Sequence, residues 1–142
     1  MKKHAVILLF ALLCFSACKT KQKPAHSSVV IDEKEWVAIQ LGENAIALNS
    51  QQLPTLKLSQ GKASGFASCN RFHGTYTLEG NTLSFGQLVQ TKMFCQETNT
   101  VETDFLNALS QTKRWEYKNG KLYFLGENNK TLTVFEEKTS SL

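Results

Sequence analysis

Trp115-Glu116-Tyr117-Lys118-Asn119-Gly120-Lys121-Leu122-Tyr123-Phe124 is the stretch that decides the fold class. Asn119-Gly120 is the strongest short hairpin signal, because a type I′ turn needs positive φ at both central residues and these two types accept it. A turn centred there sets Tyr117 opposite Leu122 and Trp115 opposite Phe124. All four then share one face of the ribbon, while Glu116, Lys118 and Lys121 share the other. Side chains alternate along a strand, so a slip of one residue would turn the whole apolar set to water. Turn chemistry and hydrophobic pattern therefore agree on a half-buried antiparallel ribbon.

The same logic extends outward. Gly80-Asn81 opposes Leu78 to Leu83 and Tyr76 to Phe85, leaving Thr77, Glu79, Thr82 and Ser84 outside. Gln60-Gly61 is a weaker turn that brings Leu56 and Leu58 to Ala63 and Gly65. Trp36 to Leu41 reads as the first strand, and Leu132 to Phe135 as the last, after an Asn128-Asn129 turn. One helix is expected from Thr100 to about Gln111. Asn99 is its expected cap, with Glu102 at the capping-box position. Val101, Phe105, Ala108 and Leu109 form a narrow apolar stripe at helical spacing, the pattern of a face packed on a sheet. The expected fold is mainly β (α+β): one antiparallel, curled or barrel-like sheet of about eight strands, with the single helix packed over one opening.

The ends of the chain read differently. Met1-Lys2-Lys3-His4 is a short basic start, followed by an unbroken apolar run from Ala5 to Phe15 and then by Ser16-Ala17-Cys18. A basic n-region, a short apolar h-region and small residues before a cut make a secretory signal. The run is too short to span a bilayer as a stable helix. Cysteine directly after Ser16-Ala17 resembles the lipobox of bacterial lipoproteins, although Phe15 stands where a smaller aliphatic is usual. That resemblance implies cleavage before Cys18 and a lipid on its sulfur. Lys19, next in line, is not the aspartate that resembles an inner-membrane retention signal. The expected location is the bacterial envelope, lipid-anchored in the outer membrane and facing the periplasm. Lys19 to Ser28 is polar and basic, carries no apolar spacing and reads as a flexible tether, with the folded part expected to begin near Val29 or Trp36. The expected division is a signal peptide over 1–17, the lipidated tether over 18–34 and one domain over 35–137.

Charge and cysteines narrow the functional classes. The sixteen Lys and Arg lose Lys2 and Lys3 with the signal, leaving fourteen against twelve Asp and Glu, an excess of +2. Three of those lysines sit in the tether. The domain therefore has no basic stripe, and nucleic acid is not an expected partner. A basic tether suits an anionic lipid surface. Cys14 leaves with the signal and Cys18 is the lipid site. Cys69 and Cys95 remain, in a compartment where disulfides persist. An even pair there points to one bridge, with two free buried thiols as the alternative.

The central segment is Gly65-Phe66-Ala67-Ser68-Cys69-Asn70-Arg71-Phe72-His73-Gly74-Thr75-Tyr76, followed by Thr91-Lys92-Met93-Phe94-Cys95 and then Glu102, Phe105 and Leu109. It resembles the META domain, the family of the HslJ-like heat-inducible lipoproteins. The family pattern is Gly-x-x-x-Cys-Asn-x-(aromatic)-x-Gly-x-Tyr, then Thr-x-Met-x-Cys, then a helix with Glu-x-x-Phe-x-x-x-Leu. Gly65, Cys69, Asn70, Phe72, Gly74, Tyr76, Thr91, Met93 and Cys95 match it, as do the placements of Trp36 and Trp115. Ser68 departs from it, since the family more often has glycine before the cysteine. The resemblance implies a small β-rich envelope lipoprotein, linked in some members to heat stress and antibiotic tolerance, with no reaction or cofactor attached to the class.

The motif residues also have readings of their own. Gly65 and Gly74 fit sites where a backbone bends or approaches another closely. Asn70 fits local backbone bonding within 64–76. Arg71 and His73 alternate with Asn70 and Phe72, so in an extended strand they face water while Phe72 is buried. Met93 reads as core filler after a strand end. A polar site built from Asn70, Arg71 and His73 is the functional alternative. His73 has no cluster of metal-ligand type around it, and a Cys69 nucleophile would need a free thiol and a positioned base. No catalytic residue, metal or cofactor is expected. The expected function is a non-enzymatic envelope lipoprotein of the stress-response type, acting by binding or envelope maintenance on an unknown protein or small molecule. The competing expectation is a periplasmic inhibitor or binding module against a hydrolase such as lysozyme, which would show an exposed loop with an acidic or serine tip.

Overall fold

A computed structural model describes residues 30–139; the leader, Cys18 and the tether through residue 29 lie outside the described residues. In chain order the strands are β1 Glu35–Leu41, β2 Asn44–Ala45, β3 Thr55–Ser59, β4 Lys62–Phe66, β5 Arg71–Glu79, β6 Thr82–Phe85 and β7 Val89–Gln90. Helix α1, Asn99–Gln111, follows, and then β8 Arg114–Lys118, β9 Lys121–Leu125 and β10 Thr131–Glu137. The sheet runs β10-β9-β8-β6-β5-β4-β3-β1, and β1 pairs back onto β10, so eight strands close a ring. The two-residue strands β2 and β7 add to β1 and β5. Closure leaves the ring without the unpaired edge that invites aggregation.

The three hairpin registers are those read from the turns. Trp115 pairs with Phe124 and Tyr117 with Leu122, around Asn119 and Gly120 at φ 52° and 77°. Tyr76 pairs with Phe85 and Leu78 with Leu83. Leu56 and Leu58 face Gly65 and Ala63. An eight-stranded barrel is just wide enough to be filled by side chains, and Trp36, Leu56, Leu58, Phe72, Leu83, Phe124 and Phe135 fill this one. Its narrowest seam is β6–β8, with one register pair, Thr82 and Arg114. The indole N–H of Trp115 reinforces that seam by donating to the Gly80 carbonyl at 2.9 Å.

Each opening is covered by a different segment. Helix α1 touches β1, β6 and β10, strands from two sides of the ring. Its Phe105 ring, fully buried, meets Phe72 and Phe135 edge-on at centroid distances of 5.8 and 6.2 Å. The helix start differs from expectation. Its N-cap is Thr98, not Asn99, and no side chain caps it. Glu102 does not close a capping box. It is buried, and with Phe105, Ala108 and Leu109 it makes the inward face; Val101 is only half-buried. A carboxylate can displace a valine from such a face only if partners wait there, and they do, as described below.

At the other opening, residues 31–34 are packed into the domain, beyond the tether boundary expected at residue 34. Ile31 is buried and its carbonyl accepts from the Trp36 indole at 3.0 Å. Glu33 donates its backbone N–H to the Leu58 carbonyl at 2.8 Å. The Tyr76 hydroxyl donates to Asp32 at 2.6 Å. Burial, and then that bond, push the Tyr76 phenol up to about 12. The folded value lies above the ordinary 10, so the stability this contributes is present below pH 10 and lost as the pH rises towards 12. Val29-Val30-Ile31 is an apolar run too short to show a helical or strand period, so the sequence pattern does not mark Ile31 as core.

Gly65 and Gly74 are close-approach positions. A Cβ at Gly74 would lie 2.6 Å from the Gln87 carbonyl oxygen and 2.7 Å from Leu88 Cδ2. A Cβ at Gly65 would lie 2.0 Å from the Thr55 carbonyl oxygen and 2.9 Å from the Phe72 ring. The first of those contacts is backbone and cannot swing aside. Gly65→Ala should therefore destabilise by about 3 kcal/mol, the upper range for overpacking, read as a lowered urea midpoint; an unchanged midpoint would refute the β3–β4 register.

Candidate functional site

The turn that joins β4 to β5 is buried throughout, from Ala67 through Ser68 and Cys69 to Asn70. Such a turn leaves backbone groups in need of partners, and within it the Asn70 side chain turns to the neighbouring 91–93 segment and to α1. Its amide nitrogen donates to the Met93 carbonyl and to Glu102 Oε1, both at 2.9 Å. Its amide oxygen accepts from Thr91 Oγ1 at 2.7 Å and from the Met93 N–H at 2.8 Å. Two donors and two acceptor sites are all that a carboxamide has, so the side chain is saturated. The Asn70 backbone N–H donates to Glu102 Oε2 at 2.7 Å, and its carbonyl accepts from Ala67 at 2.7 Å. The expectation that Asn70 bonds within 64–76 is corrected: its side chain reaches across to residues 91–93 and to α1.

The consequence is a locked loop. Thr91 is further tied by its N–H to the Arg71 carbonyl at 3.1 Å. Cys95 is bridged to Cys69, 26 residues apart, with Cα atoms 5.9 Å from each other. Between these anchors the chain turns its side chains outward. Met93 is 63% exposed and Phe94 80% exposed. The expectation that Met93 fills the core is corrected, because both its backbone groups are bound to Asn70 and its side chain is left facing water.

Beside this loop lies a cavity of about 720 Å³ lined by Gln52, Ser68, Cys95, Gln96, Glu97 and Thr98. Ser68 has φ +83°, a left-handed conformation that costs an L-residue roughly 1–2 kcal/mol and glycine almost nothing. The departure from the family's glycine therefore falls on a position whose backbone suits glycine. The hydroxyls of Ser68 and Thr98 are both buried without a hydrogen-bond partner.

Arg71 and His73 take the positions expected of them. Both are exposed on the outer face of β5, while Phe72 is 2% exposed and points inward. They line a shallow depression of about 420 Å³ with Glu35, Thr55, Lys57 and Ser64, and Asn70 is not part of it. The polar trio of the sequence reading is thus split between the two faces of the sheet. Among the described residues no group of three or more His, Cys, Asp or Glu could hold a metal ion, and no helix is long and apolar enough to cross a membrane. Cys69 is spent in the disulfide, so its sulfur is not a free nucleophile. The cavity beside α1 escaped sequence reasoning; its signal was Ser68, in the place where the motif has glycine.

Residues 29–139 match the family profile of the META domain. The chain belongs to the META domain family. Among solved structures, this META domain resembles a Burkholderia xenovorans protein determined by NMR, at 31% identity and TM-score 0.63, covering 78% of this chain and 85% of that one. A second NMR structure, at 20% identity and TM-score 0.58, covers 73% and 89%. A DUF4847 family protein from Bacteroides vulgatus shares the fold at 13% identity and TM-score 0.58, over 79% and 97%. No curated protein matches the sequence.

Two variants test the lock of this META domain. Asn70→Ala removes the partner of Glu102 Oε1 and of both backbone groups of Met93, leaves the backbone N–H bond to Glu102 Oε2, and should cost about 3 kcal/mol in chemical denaturation. Asn70→Asp should cost at least as much, since an acceptor would then face Glu102. Cys95→Ser should destabilise by roughly 2–5 kcal/mol, and the oxidised wild type should show no titratable thiol at Cys69 or Cys95 when unfolded without reductant.

Proposed function

We propose that this META domain is a non-enzymatic binding module of the bacterial envelope, anchored by a lipid on Cys18 in the outer membrane and facing the periplasm, with a role in envelope maintenance under stress. The observation that carries this reading is the rigid outward presentation of Met93 and Phe94. An exposed apolar pair on a loose loop is unremarkable, because single exposed apolar side chains are common. Here a saturated asparagine, a buried carboxylate and a disulfide hold the loop, and none of that order shelters its apolar side chains. Pre-organisation of this kind lowers the entropic cost of binding.

The position of the loop supports the same reading. Arg71, Phe66 and Thr55 stand in register at one end of the strands, and Thr75, Lys62 and Ser59 at the other. The loop is tied to Asn70 at the first end. The N-terminal arm, from which the tether leaves, is tied at the second through Glu33, which binds the Leu58 carbonyl and the Ser59 hydroxyl. The loop thus lies at the opposite end of the strands from the N-terminal arm, an arrangement that supports presentation of Met93 and Phe94 away from a lipid anchor on Cys18. The hydrolase-inhibitor alternative called for an acidic or serine tip; the tip is Lys92-Met93-Phe94, which favours the first reading.

Two experiments test the proposal. Cys18→Ala should leave an unprocessed precursor and abolish detergent-phase partition of the mature protein; normal processing and partition would sink the lipid anchor. In a strain lacking this chain, the Met93→Ser/Phe94→Ser double variant should fold with an unchanged melting temperature yet fail to restore tolerance to envelope stress. Full restoration by that variant would remove the loop from the function.

A further inference from the structure

Two buried, unpartnered hydroxyls belong to residues that line one cavity beside the start of α1. Ser68 is 4% exposed and Thr98 1%, and neither oxygen has a hydrogen-bond partner. Stranded buried hydroxyls are costly in a finished fold. Two from different segments, both on residues lining the same cavity of about 720 Å³, mark a place where a bond is left to be made. Ser68 adds a second cost, since its φ of +83° suits glycine. Removing the hydroxymethyl group would relieve both, so the fold alone gives no reason for a serine there.

The lining states what fits. Gln52 and Gln96 bring two carboxamides, Ser68 and Thr98 two hydroxyls, and Glu97 the one ionisable side chain. No Lys or Arg lines the cavity, so an anion would have only the partial charge of the helix start to set against the full charge of Glu97. A cation would meet the start of a 13-residue helix that no side chain caps, the positive end of its dipole. What remains is a neutral ligand rich in groups that both donate and accept. Phe94, one residue before the lining Cys95, is 80% exposed, an aromatic ring adjacent in the chain to the cavity wall and free to meet an apolar ring surface.

We propose that this cavity binds a saccharide, with Phe94 as its stacking platform and Ser68, Thr98, Gln52, Gln96 and Glu97 as its hydrogen-bonding wall. The assignment rests on the binding-module reading above and gives it a ligand class. Each stranded hydroxyl turns on one χ1 bond between staggered wells, so sugar hydroxyls at the cavity wall complete the bonds that the empty cavity lacks. The site lies at the end of the barrel away from the tether, where a glycan polymer or a free oligosaccharide would reach it.

The test uses the full chain, solubilised in detergent. The probes are the β-1,4-linked tetramer of N-acetylglucosamine, followed by calorimetry and amide NMR, and insoluble chitin, followed by sedimentation. Binding to the tetramer, with shifts confined to Gln52, Ser68 and residues 94–98, is expected; binding to chitin alone would assign the polymer as the source. Ser68→Gly should raise the melting temperature while weakening binding about tenfold, one hydrogen bond's worth. Phe94→Ala should weaken binding at unchanged melting temperature. No binding to either probe, or unchanged affinity in Ser68→Gly, would overturn the proposal. If neither probe binds while the Met93/Phe94 variant still fails to restore stress tolerance, the binding-module reading stands and the saccharide assignment falls. If saccharide binds through Ser68 but that variant restores tolerance fully, the site stands and the functional reading falls.

Discussion

Six hydrogen bonds converge on Asn70, four at its side chain and two at its backbone, and the covered end of the barrel depends on them. They tie together three segments that the sheet does not join: the 67–70 turn, the loop after β7 and the first turns of α1. Each segment is too short to bury its own polar groups, and each lies at the mouth of the barrel, where ladder bonding stops. Only a carboxamide meets the demand, because two donors must face Glu102 and the Met93 carbonyl while two acceptor sites face Thr91 and the Met93 N–H. The arrangement also settles which way the amide points. A reversed amide would set N–H against N–H at Met93 and oxygen against the Glu102 carboxylate.

Glu102 is the helix's contribution to this network. A glutamate in the first turn of a helix is usually read as a partner for the helix's own backbone. Here that carboxylate binds Asn70 instead, and α1 begins at Thr98 without a side-chain cap. The disulfide acts in the same region by covalent means. Cys69 precedes Asn70 directly and Cys95 lies two residues beyond Met93, so the bridge and the asparagine hold the same two chain segments. Reduction would leave that registry to hydrogen bonds alone.

The rest of the molecule shows little conflict between local preference and global fold. Hairpin turns, alternating faces and ring closure agree, as expected of a sequence that folds to one state. Glu33 and Gln60 are left-handed at the opposite end, but several exceptions meet near the motif: a left-handed serine, two unpartnered hydroxyls, an uncapped helix and an exposed Met-Phe pair. Such concentrations of local cost are where function is to be sought.

The sequence by itself determined what depends on near neighbours. Asn119-Gly120 and Gly80-Asn81 carry their registers because turn conformation and side-chain alternation act over a few residues, and the family pattern stands in the order of the residues. The identity of the motif asparagine was legible in the same way, but its partners were not. Thr91, Met93 and Glu102 lie 21 to 32 residues from Asn70, and no local rule links a turn to a helix that far along the chain. Met93 was assigned to the core because a thioether usually goes there; only the fixing of its backbone at both N–H and carbonyl turned it outward. Ile31 closes a three-residue apolar run, Val29 to Ile31, too short to show a period, and only the open barrel end gave it a place to be buried. Tertiary structure decided these because each is a competition for partners that exist only once the ring has closed.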